Sequence, residues 1–261
     1  MVHNRPVLDR VPPLTPKQPG LAVRAAGVLS DAVRLVIDQI EPYTLWWDRQ
    51  NQLALAGDGS LLVAIGDSTA VGIGASHPGN GYIGRLTAGL DRATSDAKPW
   101  RVINLAQSGA KFNDGLDRQL PVAQDLPTPN LVICCLGTND LMWGVNTSAL
   151  RAKAKKLVAE VGRLAQDAPA ALVCPVAGRS TRARLVNRAI RAAANDAGVD
   201  WVNPWNEPGP GPAERLASDR FHPNDVGHAL MAKPLGRHLG IEAGDVTWSQ
   251  VSADIETGPG P

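Results

Sequence analysis

From Leu61 onward the hydrophobic residues gather into short runs: Leu61 to Ile65, Val102 to Leu105, Leu131 to Leu136, Ala171 to Val176 and Val199 to Val202. Runs of this length, apolar at consecutive rather than alternate positions, predict strands buried on both faces. The longer segments between them predict helices over Tyr82 to Thr94, Ser148 to Gln166, Thr181 to Ala197 and Asn224 to Leu239. Strand and helix in alternation predict a single α/β/α sandwich around a five-stranded parallel sheet in flavodoxin-like order, with ligands at the carboxyl ends of the strands. Upstream, Leu21, Ala25, Val28, Leu29, Ala32, Val36 and Ile40 recur at steps of three and four and predict one amphipathic helix. A shorter helix is expected from Thr44, as its N-cap, to Ala56, with Gly57 behind it. The expected organisation is a helical arm over 1–57, a main domain over 58–240 and a polar, frayed tail over 241–261. The arm is read as extra cover for the core. A lid, a dimer contact or a membrane-surface helix are its other possible roles, and the mixed sign of its polar face argues against anionic lipid.

Composition narrows what such a domain does. Lys+Arg 26 against Asp+Glu 25 leaves a net charge of +1, so no global field draws the chain to nucleic acid or to an anionic membrane. No stretch reaches the ~18 uninterrupted apolar residues of a membrane span. Met1 to Gly20 holds five prolines and no apolar centre of a secretory leader, so the expected location is the cytoplasm. Cys134, Cys135 and Cys174 stand inside apolar runs, and strand neighbours face opposite ways, so Cys134 and Cys135 cannot share a metal. All three are expected as reduced core thiols, and no metal or other cofactor is implied.

The chemistry therefore rests on the residues that follow the strands. Gly66-Asp67-Ser68-Thr69 closes the first run, where a sharp strand-to-helix turn presents a hydroxyl above the sheet. Taken alone, Ser68 also fits an ordinary helix N-cap. The second run leads into Asn104-Leu105-Ala106-Gln107-Ser108-Gly109 and the third into Gly137-Thr138-Asn139-Asp140, which bring small residues and an amide donor to the same rim. Asp219-Arg220-Phe221-His222-Pro223 places a carboxylate and an imidazole three residues apart, so that the acid can hold the imidazole's tautomer while its other nitrogen meets a hydroxyl.

Gly66-Asp67-Ser68, Gly109, Gly137-Thr138-Asn139-Asp140 and Asp219-x-x-His222 together resemble the four ordered blocks of the SGNH (GDSL) hydrolases, over about Leu61 to Leu239. Thr69 stands where the family name has leucine, a change expected to bear on pocket packing rather than on chemistry. The resemblance implies a serine esterase in which Ser68 attacks an acyl carbonyl, His222 moves the proton and Asp219 orients His222. It also implies an oxyanion hole made by the backbone N–H groups of Ser68 and Gly109 and the side-chain amide of Asn139. The expected substrates are small or carbohydrate-linked acyl esters. An acyltransferase working through the same site, and a silent domain that binds carbohydrate or a partner, are the alternatives.

Other motifs weigh less. Gly79-Asn80-Gly81-Tyr82-Ile83-Gly84 matches G-x-G-x-x-G, but it begins well past the end of the first strand, where a dinucleotide fingerprint does not belong. Arg179, Arg182, Arg184, Arg188 and Arg191 read as a solvated helix face, with Arg179 the one that could reach a phosphate at the rim. His77 reads as a loop histidine, and His228 and His238 as helix residues. Trp143 is a candidate for lining an acyl pocket, while Trp201 and Trp205 flank the end of the fifth strand.

Overall fold

Each short apolar run becomes a strand: β1 (Leu61–Gly66), β2 (Arg101–Asn104), β3 (Leu131–Cys135), β4 (Ala170–Val173) and β5 (Asp200–Trp201). The computed structural model describes residues 11–16, 20, 25, 27–28, 30–94, 98–142 and 146–245. All pairings are parallel and the order is β2-β1-β3-β4-β5, the expected doubly wound sheet.

Its helices are α1 (Asp31–Ile37), α2 (Ile40–Ala56), α3 (Ser68–Val71), α4 (Tyr82–Ala93), α5 (112–124), α6 (Thr138–Met142), α7 (Thr147–Leu164), α8 (Thr181–Ala197), α9 (Pro212–Arg215) and α10 (Asp225–His238). Alternation along the strands divides the core between two faces. Leu62, Ala64, Ile133, Cys135 and Leu172 pack with Leu86 of α4, Met231 of α10 and the arm residues Tyr43 and Trp47. Val132, Cys134 and Val173 pack on the other face with Leu157 of α7 and Val186 of α8. Cys134 and Cys135 thus belong to opposite faces, and all three cysteines are free and buried.

Three boundaries differ from expectation. The predicted helix from Leu21 to Ile40, part of which lies outside the described residues, ends at Ile37, and a new helix starts at Ile40. The break has a covalent cause: Pro42 has no N–H to give the Asp38 carbonyl, and its ring occupies the space that bond would need. Thr44 is therefore not an N-cap. It lies inside α2 and its hydroxyl donates to the Ile40 carbonyl at 2.6 Å. The helical stretch α5 has no counterpart among the predicted elements. Gly115 and Pro121 interrupt its pattern, and its middle, Gly115–Gln119, is a π turn that departs from the 3.6-residue period.

The arm is tied to the turn after β1. Trp47 is 1% exposed, and its indole N–H donates to the Val71 carbonyl at 2.9 Å. Tyr43 donates to the Ala75 carbonyl at 2.7 Å, and Gln39 accepts from the Gly74 N–H at 2.8 Å. At the far end of the described chain Ala243 is buried in the same cluster, and the Gly244 carbonyl accepts from Arg85 at 2.8 Å. Residues 246–261 of the predicted tail lie outside the described residues.

His228 joins three of these elements. Its Nδ1 accepts from the Tyr82 N–H at 3.3 Å while Nε2 meets the Ile73 carbonyl at 3.2 Å, which requires the neutral ring with its proton on Nε2. Complete burial pushes its pKa down to about 4, only partly countered by the Ile73 carbonyl. A histidine depressed in the folded state is protonated first in the unfolded chain, so stability is full above the unfolded value and declines as pH falls from about 6.5 to about 4. The expected loss across that window is about 3 kcal/mol. Urea unfolding at pH 7 and pH 4.5 checks it: His228→Gln should show a smaller difference between the two than the wild type, and equal differences would count against it.

Candidate active site

The geometry starts from the end of β1. Gly66 is followed by Asp67, the true N-cap of α3, whose carboxylate accepts from the Thr69 N–H at 3.0 Å and the Thr69 hydroxyl at 2.6 Å. Ser68 is thus not the cap but the first helical residue, 4% exposed, with its hydroxyl free for other work. Thr69, where the family name has leucine, holds Asp67 rather than filling a pocket.

From the other end of the chain the segment 217–223 returns to this turn. Leu216 and Pro223 form an isolated antiparallel bridge, and Asn224 caps α10 while donating to the carbonyls of Glu214 and Leu216 at 2.9 and 3.1 Å. Within that frame Arg220 has φ 56, a left-handed conformation that reverses the chain between Asp219 and His222. Gly74, at φ +96, lets the segment after α3 lie against it, since a Cβ there would come within 2.3 Å of the Pro223 carbonyl.

The result is a line of three side chains. His222 Nε2 lies 2.9 Å from Ser68 Oγ, across 154 residues of sequence, and His222 Nδ1 lies 2.6 Å from Asp219 Oδ2. Asp219 Oδ1 accepts from the N–H groups of Phe221 and His222 at 3.0 and 3.1 Å. Burial pulls the Asp219 carboxyl upward, but the hydrogen bond and charge of His222 and the two amides outweigh it and hold the pKa below the usual carboxylate range. An ionised carboxylate only accepts, so His222 Nδ1 donates to it and Nε2 is left to accept from the Ser68 hydroxyl. Phe221, 46% exposed, stands edge-on to the His222 ring at 5.0 Å.

Asn139, in the first turn of α6, reaches the same turn from β3. Its Nδ2 donates to the Ala110 carbonyl at 3.0 Å and, at a long 3.4 Å, to Asp67 Oδ2. Asp67 is raised above the usual carboxylate range by burial, against the pull of Thr69. Gly109 has φ +72 and open space where a Cβ would be. Among the described residues, neither the Ser68 N–H nor the Gly109 N–H has a hydrogen-bond partner. Gly137, at φ +109, lies so close to Phe112 that a Cβ would stand 2.2 Å from its ring, which sets the path from β3 into α6.

The remaining candidates are engaged elsewhere. His77 Nδ1 accepts from the Gly79 N–H at 3.1 Å and its ring meets Trp46 edge-on, while His238 pairs with Asp200 at 3.0 Å. The glycines at 79, 81 and 84 serve close packing: a Cβ on Gly84 would meet the Gly79 carbonyl at 2.1 Å. Arg182 donates to the carbonyls of Asp140 and Leu141, Arg191 covers the Trp201 ring at 5.1 Å, and Arg179 is exposed. Trp205 donates to the Pro175 carbonyl at 2.8 Å, and Trp143 lies outside the described residues. Among the described residues, no group of three His, Cys, Asp or Glu could hold a metal, and no helix is long and apolar enough to cross a membrane.

Sequence reasoning missed the amides behind the turn. Gln119, in the π turn, accepts from the Gly66 N–H and donates to the Gly66 carbonyl, both at 2.9 Å. Asn104 donates to the Ala70 carbonyl at 2.8 Å and is itself held by Asn51 of the arm, at 2.8 and 3.0 Å. Their only sequence signal is an amide residue inside a largely apolar stretch.

Several solved structures share this fold. They include the psychrotrophic esterase EstA from Pseudoalteromonas sp., 17% identical, with TM-score 0.55 over 69% of this chain and 97% of that one. TesA is 19% identical, with TM-score 0.56 over 69% and 98%. A family two carbohydrate esterase from Clostridium thermocellum is 18% identical, with TM-score 0.51 over 76% and 65%. At these identities the likeness is one of fold. No curated protein matches the sequence. The GDSL-like lipase/acylhydrolase family matches residues 64–230, a span that runs from within β1 into α10 and takes in most of the sheet. With more than half of its length matched in this way, the chain belongs to the GDSL-like lipase/acylhydrolase family and is a hydrolase acting on esters.

Proposed function

We propose that this hydrolase is a serine esterase that cleaves small or carbohydrate-linked acyl esters through a covalent acyl-enzyme. The observation that carries the reading is the line from Ser68 Oγ through His222 to Asp219, with spacings of 2.9 and 2.6 Å. Ser68 Oγ bonds to the acyl carbon as its proton passes to His222 Nε2, and the carbonyl electron pair moves onto oxygen. Collapse of that tetrahedral species breaks the ester C–O bond, and His222 returns the proton to the leaving alcohol. Water, activated in turn by His222, releases the acid. Another alcohol in place of water would make the same site an acyltransferase.

The N–H groups of Ser68 and Gly109 are the backbone donors for the oxyanion. Asn139 Nδ2 is the third, and its 3.4 Å contact to Asp67 is the bond weak enough to yield to a developing charge. Asn139→Ala is expected to lower kcat by about 10²–10³-fold with KM little changed. Steady-state kinetics on one nitrophenyl ester checks this, and an unchanged kcat would remove Asn139 from the hole.

The structurally similar EstA was solved inhibited by monoethylphosphonate, which makes phosphonates the natural probe class. The test is turnover of p-nitrophenyl acetate and longer esters, with a fluorophosphonate label located by peptide mass spectrometry. Turnover with the label on Ser68 is expected. A folded protein that turns over no ester and takes no label would move the silent binding domain ahead.

A further inference from the structure

We infer that Gln119 is a positioning residue for the nucleophile turn, an inference that rests on the reading of Ser68 as nucleophile. The β1–β2 register runs only to Ala64 opposite Asn104, after which the chain of β2 turns away, with the Ala106 N–H donating to the Asn104 side chain. β1 continues two residues further, to Gly66, and is paired there with β3 alone. On the β2 side the Gln107 N–H still reaches the Gly66 carbonyl, at 3.3 Å, but the Gly66 N–H is left without a backbone acceptor. Gln119 supplies the missing acceptor, its carbonyl taking the Gly66 N–H, and its amide adds a second, shorter donor to the Gly66 carbonyl, both at 2.9 Å. The side chain is 5% exposed, so water is no substitute partner.

The held residue is the one that cannot hold itself. Gly66 has no side chain to pack, because a Cβ there would stand 2.5 Å from Ala70 Cβ. Asp67 and Ser68 follow directly, so the plane of the Gly66 peptide sets where the Ser68 hydroxyl and N–H point. Gln119 itself comes from the π turn of α5, whose extra residue per turn redirects a side chain that an unbroken α-helix would place elsewhere. It touches neither His222 nor the acyl site and acts through the backbone of β1 alone.

A matched control exists one layer away. Asn187 of α8 clamps Val176 in the same manner, accepting from its N–H at 2.8 Å and donating to its carbonyl at 3.1 Å, past the end of β4. Gln119→Met removes both bonds at nearly constant volume, Gln119→Glu keeps the acceptor, and Asn187→Leu removes the control pair. Wild type and the three variants are compared for Tm, and for kcat and KM on a nitrophenyl ester well below the lowest Tm, with Ser68→Ala alongside. The expected result is a fall of about 10- to 100-fold in kcat for Gln119→Met with KM within about twofold, and a smaller fall for Gln119→Glu. Asn187→Leu should lower Tm and leave kcat within about twofold of wild type. A Gln119→Met enzyme that keeps its kcat would overturn the inference, as would kcat losses that track Tm alike at both clamps. Failure of both Gln119 variants to fold while Asn187→Leu folds would also overturn it, because Gln119 would then serve the stability of β1. Activity surviving in Ser68→Ala would instead sink the nucleophile assignment beneath it.

Discussion

Replacing Ser68 by alanine is expected to lower kcat by about 10⁴-fold or more and to abolish fluorophosphonate labelling, with little change in Tm. The size follows from the division of labour in the site. Without the hydroxyl there is no covalent intermediate, and only the oxyanion donors and the bound orientation of the ester remain to assist water. Stability should survive because Ser68 is not the cap of α3: Asp67 accepts from Thr69 whether or not the hydroxyl is present. Removing Ser68 Oγ takes a hydrogen bond from His222 Nε2, on a side chain that is partly exposed. Retention of more than a tenth of wild-type turnover would end the nucleophile assignment.

Asp219→Asn should be nearly as severe, about 10⁴-fold in kcat, for a different reason. The asparagine carbonyl can still accept from the Phe221 and His222 N–H groups, so the turn through Arg220 keeps its shape. Its amide, however, presents donors to His222 Nδ1. The imidazole then carries its proton on Nε2, the nitrogen that must be free to take the Ser68 proton. A near-native Tm with collapsed kcat is the expected signature, and a kcat within about tenfold of wild type would show that Asp219 does not set the tautomer. Asp219 also bears on stability. Its folded-state pKa lies below its unfolded value, so its stabilising contribution is present above about pH 4 and fades as pH falls through the folded value.

The strands and most of the helices were legible because the sheet is buried on both faces. Every residue of Leu61–Gly66 and Leu131–Cys135 is buried, and an unbroken apolar run is the direct imprint of that environment. Thr181–Ala197 was placed to the residue because Ser180 caps its start and left-handed Gly198 its end, both local signals. α5 was not legible, since Gly115, Pro121 and a π turn leave no single period to detect. Nor was the break at Asp38, where Pro42 acts four residues ahead of itself. Ser68, Gly109 and Asn139 were legible as types after strand ends and Asp219 and His222 in the loop before the last helix, and the structure brings three of the five into one hydrogen-bonded line. Gln119, Asn104 and Asn51 were invisible because their partners are backbone groups. A peptide N–H carries no sequence identity, so nothing in the chain marks which amide will meet it.

The 154 residues between Ser68 and His222 also set a clock. At a synthesis rate of about 5–20 residues per second, the serine leaves the ribosome roughly 8–30 s before the histidine proposed to activate it. Through that interval, on the proposed mechanism, Ser68 lacks its base and is an ordinary alcohol. On that mechanism its activation waits until the Asp219–His222 turn lies against Gly74. A nascent or truncated chain that stops short of this turn is then expected to be silent, so that under the proposed mechanism ester turnover reports the completed fold.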